Sequence, residues 1–269
     1  MSFDCYIGID YSGAEAPTSR LKGLQVYAVQ ADSGDAQAWH SPTPSNNGQR
    51  VNWTRREVAE QLLNEVNKGT RFLAGIDHGF SMPMSYFARY GLESWPQFLA
   101  DFVHHWPTHG DYVYVDFVRD GNLYRSGDAP PPGSRTGTAD EFRLTEKWTS
   151  SAKSVFLFDV QGSVAKSTHA GIPWLKWLRD QAGDKVHFWP FDGWTPAPGK
   201  SVIVEVYPSI FRNRFPRDAR TTDQQDAYAT AKWMAGMAAH GSLAAYFSPP
   251  LTLAERAMAD LEGWIFGVR

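Results

Sequence analysis

Gly-Ile-Asp occurs twice in this chain, as Gly8-Ile9-Asp10 and Gly75-Ile76-Asp77, each time closing a short apolar run. Side chains alternate along a strand, so each glycine shares a face with the aspartate two residues on. Each acid then ends its strand, with an empty position behind it where a ligand or metal could approach. Ligands of open α/β sheets bind at the carboxyl ends of parallel strands. Two carboxylates brought together there repel unless a cation lies between them. The repeated tripeptide is therefore the seed of a divalent-metal site.

Two later segments add acids. Val202-Ile203-Val204-Glu205-Val206-Tyr207 is apolar on both faces, as a central strand is, yet holds Glu205. A carboxylate in such a strand is costly unless paired, protonated or metal-bound. Asp223 and Asp226 lie three apart in an alanine-rich helical stretch and share one helix face. Both would sit in the first helical turn, where carboxylates favour the helix dipole. That role suits Asp223, whereas Ala227, Ala229 and Ala231 place Asp226 on a face packed closely against a sheet.

The elements that must position these acids can be read along the chain. Cys5 to Asp10 reads as a strand, Leu21 to Gln30 as a second, and Ala36 to His40 as a third, with Gly34 and Asp35 turning between the last two. Thr54 and Glu57 have capping-box spacing, opening a helix that carries Val58, Leu62, Leu63 and Val66 and closes at Gly69. Phe72 to Asp77 is the fourth strand. Beyond it, Ser81-Met82-Pro83 begins a loop and Pro96 to His105 reads as a helix. Arg119 to Lys153, with Ala129-Pro130-Pro131-Pro132-Gly133, reads as a long loop or lid. Val155 to Val160 is strand-like and Pro173 to Gln181 helical. Ser201 to Tyr207 is a strong strand, followed by helices over Thr222 to His240 and Thr252 to Phe266.

With 42% hydrophobic and 14% aromatic residues, the 269-residue chain can fill a core unaided by disulfides. Its net charge of -3 argues against broad, non-specific coating of nucleic acid, though not against a local basic groove. Cys5 is the single cysteine, so no disulfide can form within the chain, which fits a reducing compartment. No run reaches the apolar length of a membrane span, and Met1-Ser2-Phe3-Asp4 does not begin a signal peptide. A cytoplasmic protein without membrane contact is expected.

The two Gly-Ile-Asp strands, Glu205-Val206-Tyr207-Pro208-Ser209 and Asp226-Ala-x-Ala together resemble the RNase H-like superfamily. More narrowly, the chain is similar to an uncharacterised family described as predicted RNase H-like nucleases, from Ile7 to Glu262-Gly263-Trp264-Ile265. Gly75 to Pro83 and Glu205 to Ser209 are the most specific stretches. The Asp223-x-x-Asp226-Ala pairing is also similar to the end motif of Holliday-junction resolvases. The resemblance implies one α/β domain over 1–269. Its mixed sheet would have the order 3-2-1-4-5 with flanking helices, and a long insertion at about 79–200 would separate the fourth and fifth strands. It implies that Asp10, Asp77, Glu205 and Asp226, with Asp223 as an alternate, hold two Mg²⁺ or Mn²⁺ ions roughly 4 Å apart to hydrolyse nucleic-acid phosphodiesters. Asp10 would bridge the two ions.

Other readings compete. Asp10-Tyr11-Ser12-Gly13 loosely fits the phosphate loop of actin-like ATPases and sugar kinases, which would need a half-site completed by dimerisation. A catalytically silent binding module is a third reading. Gly162-Ser163-Val164-Ala165-Lys166-Ser167-Thr168 lacks the glycines of a Walker loop. It leaves Lys166, Ser167 and His169 as candidate phosphate contacts beside Ser12. Arg119, Arg125, Arg135 and Arg143, all on the insertion, are further candidates. His104, His105 and His109 lack supporting carboxylates and read as packing or surface residues, as does His78.

Overall fold

The computed structural model describes residues 2–44, 50–126, 135–149 and 151–269. The polypeptide forms an α/β structure around a six-stranded mixed sheet. Its strands are β1 (Cys5–Tyr11), β2 (Leu24–Gln30), β3 (Gln37–Trp39), β4 (Phe72–Asp77), β5 (Val186–Phe188) and β6 (Ser201–Glu205). The helices are α1 (Arg55–Asn67), α2 (Met84–Tyr90), α3 (Trp95–His105), α4 (Val115–Arg119), α5 (Asn122–Ser126), α6 (Leu144–Trp148), α7 (Ala165–Ala182), α8 (Thr222–Ala239), α9 (Leu243–Tyr246) and α10 (Leu253–Glu262). Among the described residues, no helix is long and apolar enough to cross a membrane.

The strand order is β3-β2-β1-β4-β6-β5, not the five-stranded 3-2-1-4-5 expected. The additional strand, Val186–Phe188, pairs parallel to the outer edge of β6. Three residues are too few to show a periodicity of their own, and the edge of β6 supplies the pairing. Val155 to Val160 is not a strand: its amides are used in turns, such as Leu157 N to Ser154 O at 3.1 Å, and Val155 and Phe156 are buried in the insertion. Pro83 is the N-cap of α2 where a loop was expected, and α5 and α6 interrupt the expected long loop. The Ala129–Gly133 tract of that loop lies outside the described residues.

β1 and β4 are parallel neighbours in direct register, Gly8 beside Gly75 and Asp10 beside Asp77. Hydrophobes at alternate positions feed two cores. Ile7, Ile9, Ala74, Ile76 and Ile203 face one side, where Val58, Leu62 and Val66 of α1 and Ile172, Leu175 and Leu178 of α7 cover them. Leu73, Val202 and Val204 face the other side, beneath Ala227, Ala231 and Met234 of α8. Thr221 caps α8, accepting from the Gln224 amide, and Gln224 reaches back to the Thr221 amide.

Gly8 and Gly75 lie under α8. A Cβ at Gly8 would overlap the Ala227 carbonyl and come within 2.8 Å of the Ala231 amide. At Gly75 it would lie 2.7 Å from Val206 Cγ1 and 2.9 Å from Thr230 Cγ2. The space behind each aspartate, read from the sequence as an approach for a ligand, is thus filled, by the helix at Gly8 and by Val206 together with the helix at Gly75. Gly8→Ala is expected to cost about 3 kcal/mol, because helix backbone rather than a pliant side chain stands in the way. Urea denaturation checks this; a loss below about 1 kcal/mol would mean that α8 is not seated so closely.

Candidate functional site

Parallel register sets Asp10 and Asp77 side by side at the carboxyl end of the sheet, and α8 brings Asp226 over them. One carboxylate oxygen from each of the three lies within 4.8 Å of the others. Asp10 is 4% exposed and Asp226 7%, while Asp77 is partly exposed. Ser12 steadies Asp10 twice, donating to Oδ1 from its amide at 3.0 Å and from its hydroxyl at 2.5 Å. Arg212 donates to Asp226 Oδ2 at 3.0 Å, whereas the buried Asp226 Oδ1 has no hydrogen-bond partner among the described residues. Asp223 lines the same cavity, and its charge acts on Asp10.

Glu205 does not join the three. Its register partner is Ile76, so it projects to the sheet face opposite Asp77. There it is only 3% exposed and forms a two-pronged ion pair with Arg143, Nη1 to Oε2 at 2.7 Å and Nη2 to Oε1 at 2.5 Å. The Phe80 amide adds a third bond to Oε2 at 2.9 Å. Arg143 also holds Glu146, Nε to Oε1 at 2.8 Å. Burial alone would lower the Arg143 pKa, but the two carboxylates raise it above its ordinary value. Glu205, expected as a metal ligand, is here a structural anion whose partner comes from the insertion.

The other expected contacts divide similarly. Ser12 and Ser167 line the cavity. Lys166 pairs with Asp116 at 2.7 Å instead. His169 is fully buried among Phe102, Trp106, Phe156 and Phe158, with Nδ1 against the Ala165 carbonyl, and burial lowers its pKa to about 4. It is a core residue. His78 is also buried, stacked between Tyr11 and Phe80. Three insertion arginines are engaged elsewhere, Arg119 with Asp159, Arg135 with Asp101 and Arg125 with Asn122, whereas Arg143 lines the cavity together with its partners Glu146 and Glu205. The arginine that reaches the acids is Arg212, which the sequence reading passed over. Its signal was the recurrence Arg212, Arg214, Arg217, Arg220 just before the aspartate helix.

Burial raises the Asp10 pKa to about 7; the Ser12 bonds work against this, and the Asp223 and Asp226 charges add to it. Burial and the charges of Asp10, Asp226 and Glu205 push Asp77 well above the carboxylate range. Asp226 is also raised by burial, with Arg212 partly offsetting it. Carboxylates held so close favour a proton or a cation among them.

The donor chemistry fits a divalent cation. Hard cations take carboxylate oxygens at about 2.0–2.6 Å, so two oxygens on opposite sides of one ion lie about 4–5 Å apart. The 4.8 Å within which the three oxygens lie is compatible with a shared ion, and Asp226 Oδ1 has no other partner among the described residues. Comparison of the chain with family models, with curated proteins and with solved structures finds no match.

Two outcomes are expected. The folded state binds a proton at Asp10 more tightly than the unfolded chain does, so metal-free protein should be most stable below about pH 4 with respect to this group. Stability is then lost as pH rises toward about 7, by up to about 1.4 kcal/mol per pH unit. Asp10→Asn should flatten that slope in pH-dependent denaturation. Second, Glu205→Gln should destabilise the fold yet keep any Mn²⁺-induced rise in Tm, whereas Asp226→Asn should lose it. Loss of the rise in Glu205→Gln would make Glu205 a ligand after all.

Proposed function

We propose that the protein is an RNase H-like, divalent-metal-dependent hydrolase of nucleic-acid phosphodiesters. The observation that carries this reading is the convergence of Asp10, Asp77 and Asp226, with Asp226 Oδ1 buried and unpartnered among the described residues. The parallel pairing of the two Gly-Ile-Asp strands supports it. Asp10, Asp77 and Asp226 would hold Mg²⁺ or Mn²⁺, and Asp223 is the carboxylate available to a second ion. When bound, the cation supplies Lewis-acid polarisation of a phosphoryl oxygen and neutralises the acids.

The chain's own groups do the rest. Ser12 fixes the orientation of Asp10, so the carboxylate is positioned before substrate arrives. Arg212 neutralises part of Asp226 and stands where a phosphate would meet it, a role suited to a planar guanidinium. The cavity, of about 390 Å³, is walled on its far side by the start of α7 and by Lys153. That wall limits the water reaching the acids, where charge interactions are strengthened in consequence.

Purified protein with Mn²⁺ should cleave at least one member of a panel of single-stranded, duplex, branched and hybrid nucleic acids. Chelation should abolish cleavage, and Asp77→Asn should lower it on the order of 10²-fold or more, because positioning and charge stabilisation provide most of such catalysis. Cleavage that persists in Asp77→Asn would expose a contaminant. Absence of cleavage despite metal binding would turn the reading toward a binding role.

A further inference from the structure

The cavity that holds the acids has a second, oppositely charged wall. Gly162, Ser163, Val164 and Ser167 line it opposite Asp10, Asp77 and Asp226, together with Lys153. These residues surround the N-terminus of α7, which runs for 18 residues and whose N-cap, Val164, offers no side-chain acceptor. The Ala165 amide is met by Ser163 Oγ at 3.2 Å, and the Thr168 amide by the Val164 carbonyl at 2.8 Å. Between them, the Lys166 and Ser167 amides find no acceptor among the described residues. Such first-turn N–H groups carry the positive end of the helix dipole. Lys153 Nζ donates to the Gln161 carbonyl at 2.8 Å and has no carboxylate partner among the described residues. Asp226, whose buried Oδ1 has no hydrogen-bond partner among the described residues, lines the same cavity.

One end thus calls for a cation and the other for an anion, and a metal-bound phosphate satisfies both. At about 390 Å³ the enclosure is at the small-molecule end of binding sites. A duplex is read across an open protein surface of about 600–2,500 Å² instead.

We propose that Lys153, the Lys166 and Ser167 amides and the Ser167 hydroxyl form a phosphate subsite, so that the cavity admits one phosphate-bearing nucleotide, free or at the end of a single strand. The inference rests on the hydrolase reading for its metal end but on separate residues for its anion end.

The test is competition binding with Mn²⁺, using phosphorothioate-linked hexanucleotides bearing a phosphate at either end or hydroxyls at both, a duplex of the same sequence, and AMP. Wild type should bind a phosphate-ended strand about tenfold or more tighter than the hydroxyl-ended one, as charge-assisted bonds imply. Lys153→Gln and Ser167→Asp should each reduce that preference to about twofold or less while keeping the Mn²⁺-induced rise in Tm. The second variant places an acid where a helix start favours it, so folding is retained while phosphate is repelled. Competition by AMP equal to that of the strand assigns the subsite to free nucleotide, and weaker competition assigns it to strand ends; either supports it. Equal wild-type binding of both strands, an undiminished preference in both variants, or duplex binding as tight as the phosphate-ended strand overturns the proposal. Absence of a Mn²⁺ effect in wild type would remove the hydrolase reading alone, because loss of the preference in the variants would still support the subsite.

Discussion

α8 rests on the sheet at backbone distance because Gly8 beneath it has no side chain, while Gly75 leaves room for the side chains of Thr230 and Val206. Everything at the carboxyl edge follows from that contact. The buried alanines at 227, 229 and 231 let the helix come down, and the helix carries Asp226 to the acids at the carboxyl ends of β1 and β4. A methyl group at Gly8 would lift the helix and separate the third carboxylate from the other two. Protein interiors are packed too densely to absorb the displacement elsewhere.

The cost of this arrangement is electrostatic. Three carboxylates in a partly enclosed space raise one another's pKa values, and burial raises them further. Arg212 relieves two of them, by its hydrogen bond to Asp226 and its charge on Asp77, and the charge of Arg217 also acts on Asp226. Glu205 adds to the repulsion on Asp77, but the alternation of β6 turns it to the opposite face, where Arg143 takes both of its oxygens. A buried ion pair adds little net stability compared with apolar packing, yet removing either partner leaves an uncompensated charge. The pair therefore ties the insertion to the sheet and holds both oxygens of Glu205 at Arg143. Glu262 strengthens that tie, accepting from the Met84 amide at 2.6 Å and the Leu144 amide at 2.5 Å at the starts of α2 and α6.

The insertion between β4 and β5 also builds the far wall of the cavity. Its aromatic residues, among them Trp95, Phe98, Phe102 and Phe156, join the same core as α1 and the inner strands. The start of α7 is thereby held at a fixed distance from α8. Two helix N-termini from opposite faces of the sheet, one bearing aspartates and the other bare amides, meet at one opening.

The sequence by itself determined the strands with Asp10 and Asp77 at their carboxyl ends, the cap at Thr54, and the alanine face that accompanies Asp226. These are local properties: an apolar run, a capping residue three positions from its partner, small side chains at helical spacing. The α/β class and the first four strands were legible for the same reason. The direction of Glu205 was set by its pairing with Ile76, which no periodicity within an evenly apolar strand reveals. The edge strand Val186–Phe188 exists because β6 offers unpaired backbone, and Val155–Val160 is not a strand because nothing offers it any. Arg143 lies 62 residues from Glu205, and only folding brings the two together. Tertiary structure decided what fills the space behind the glycines, since an absent side chain records an approach without naming what approaches: here it is a helix, joined at Gly75 by Val206.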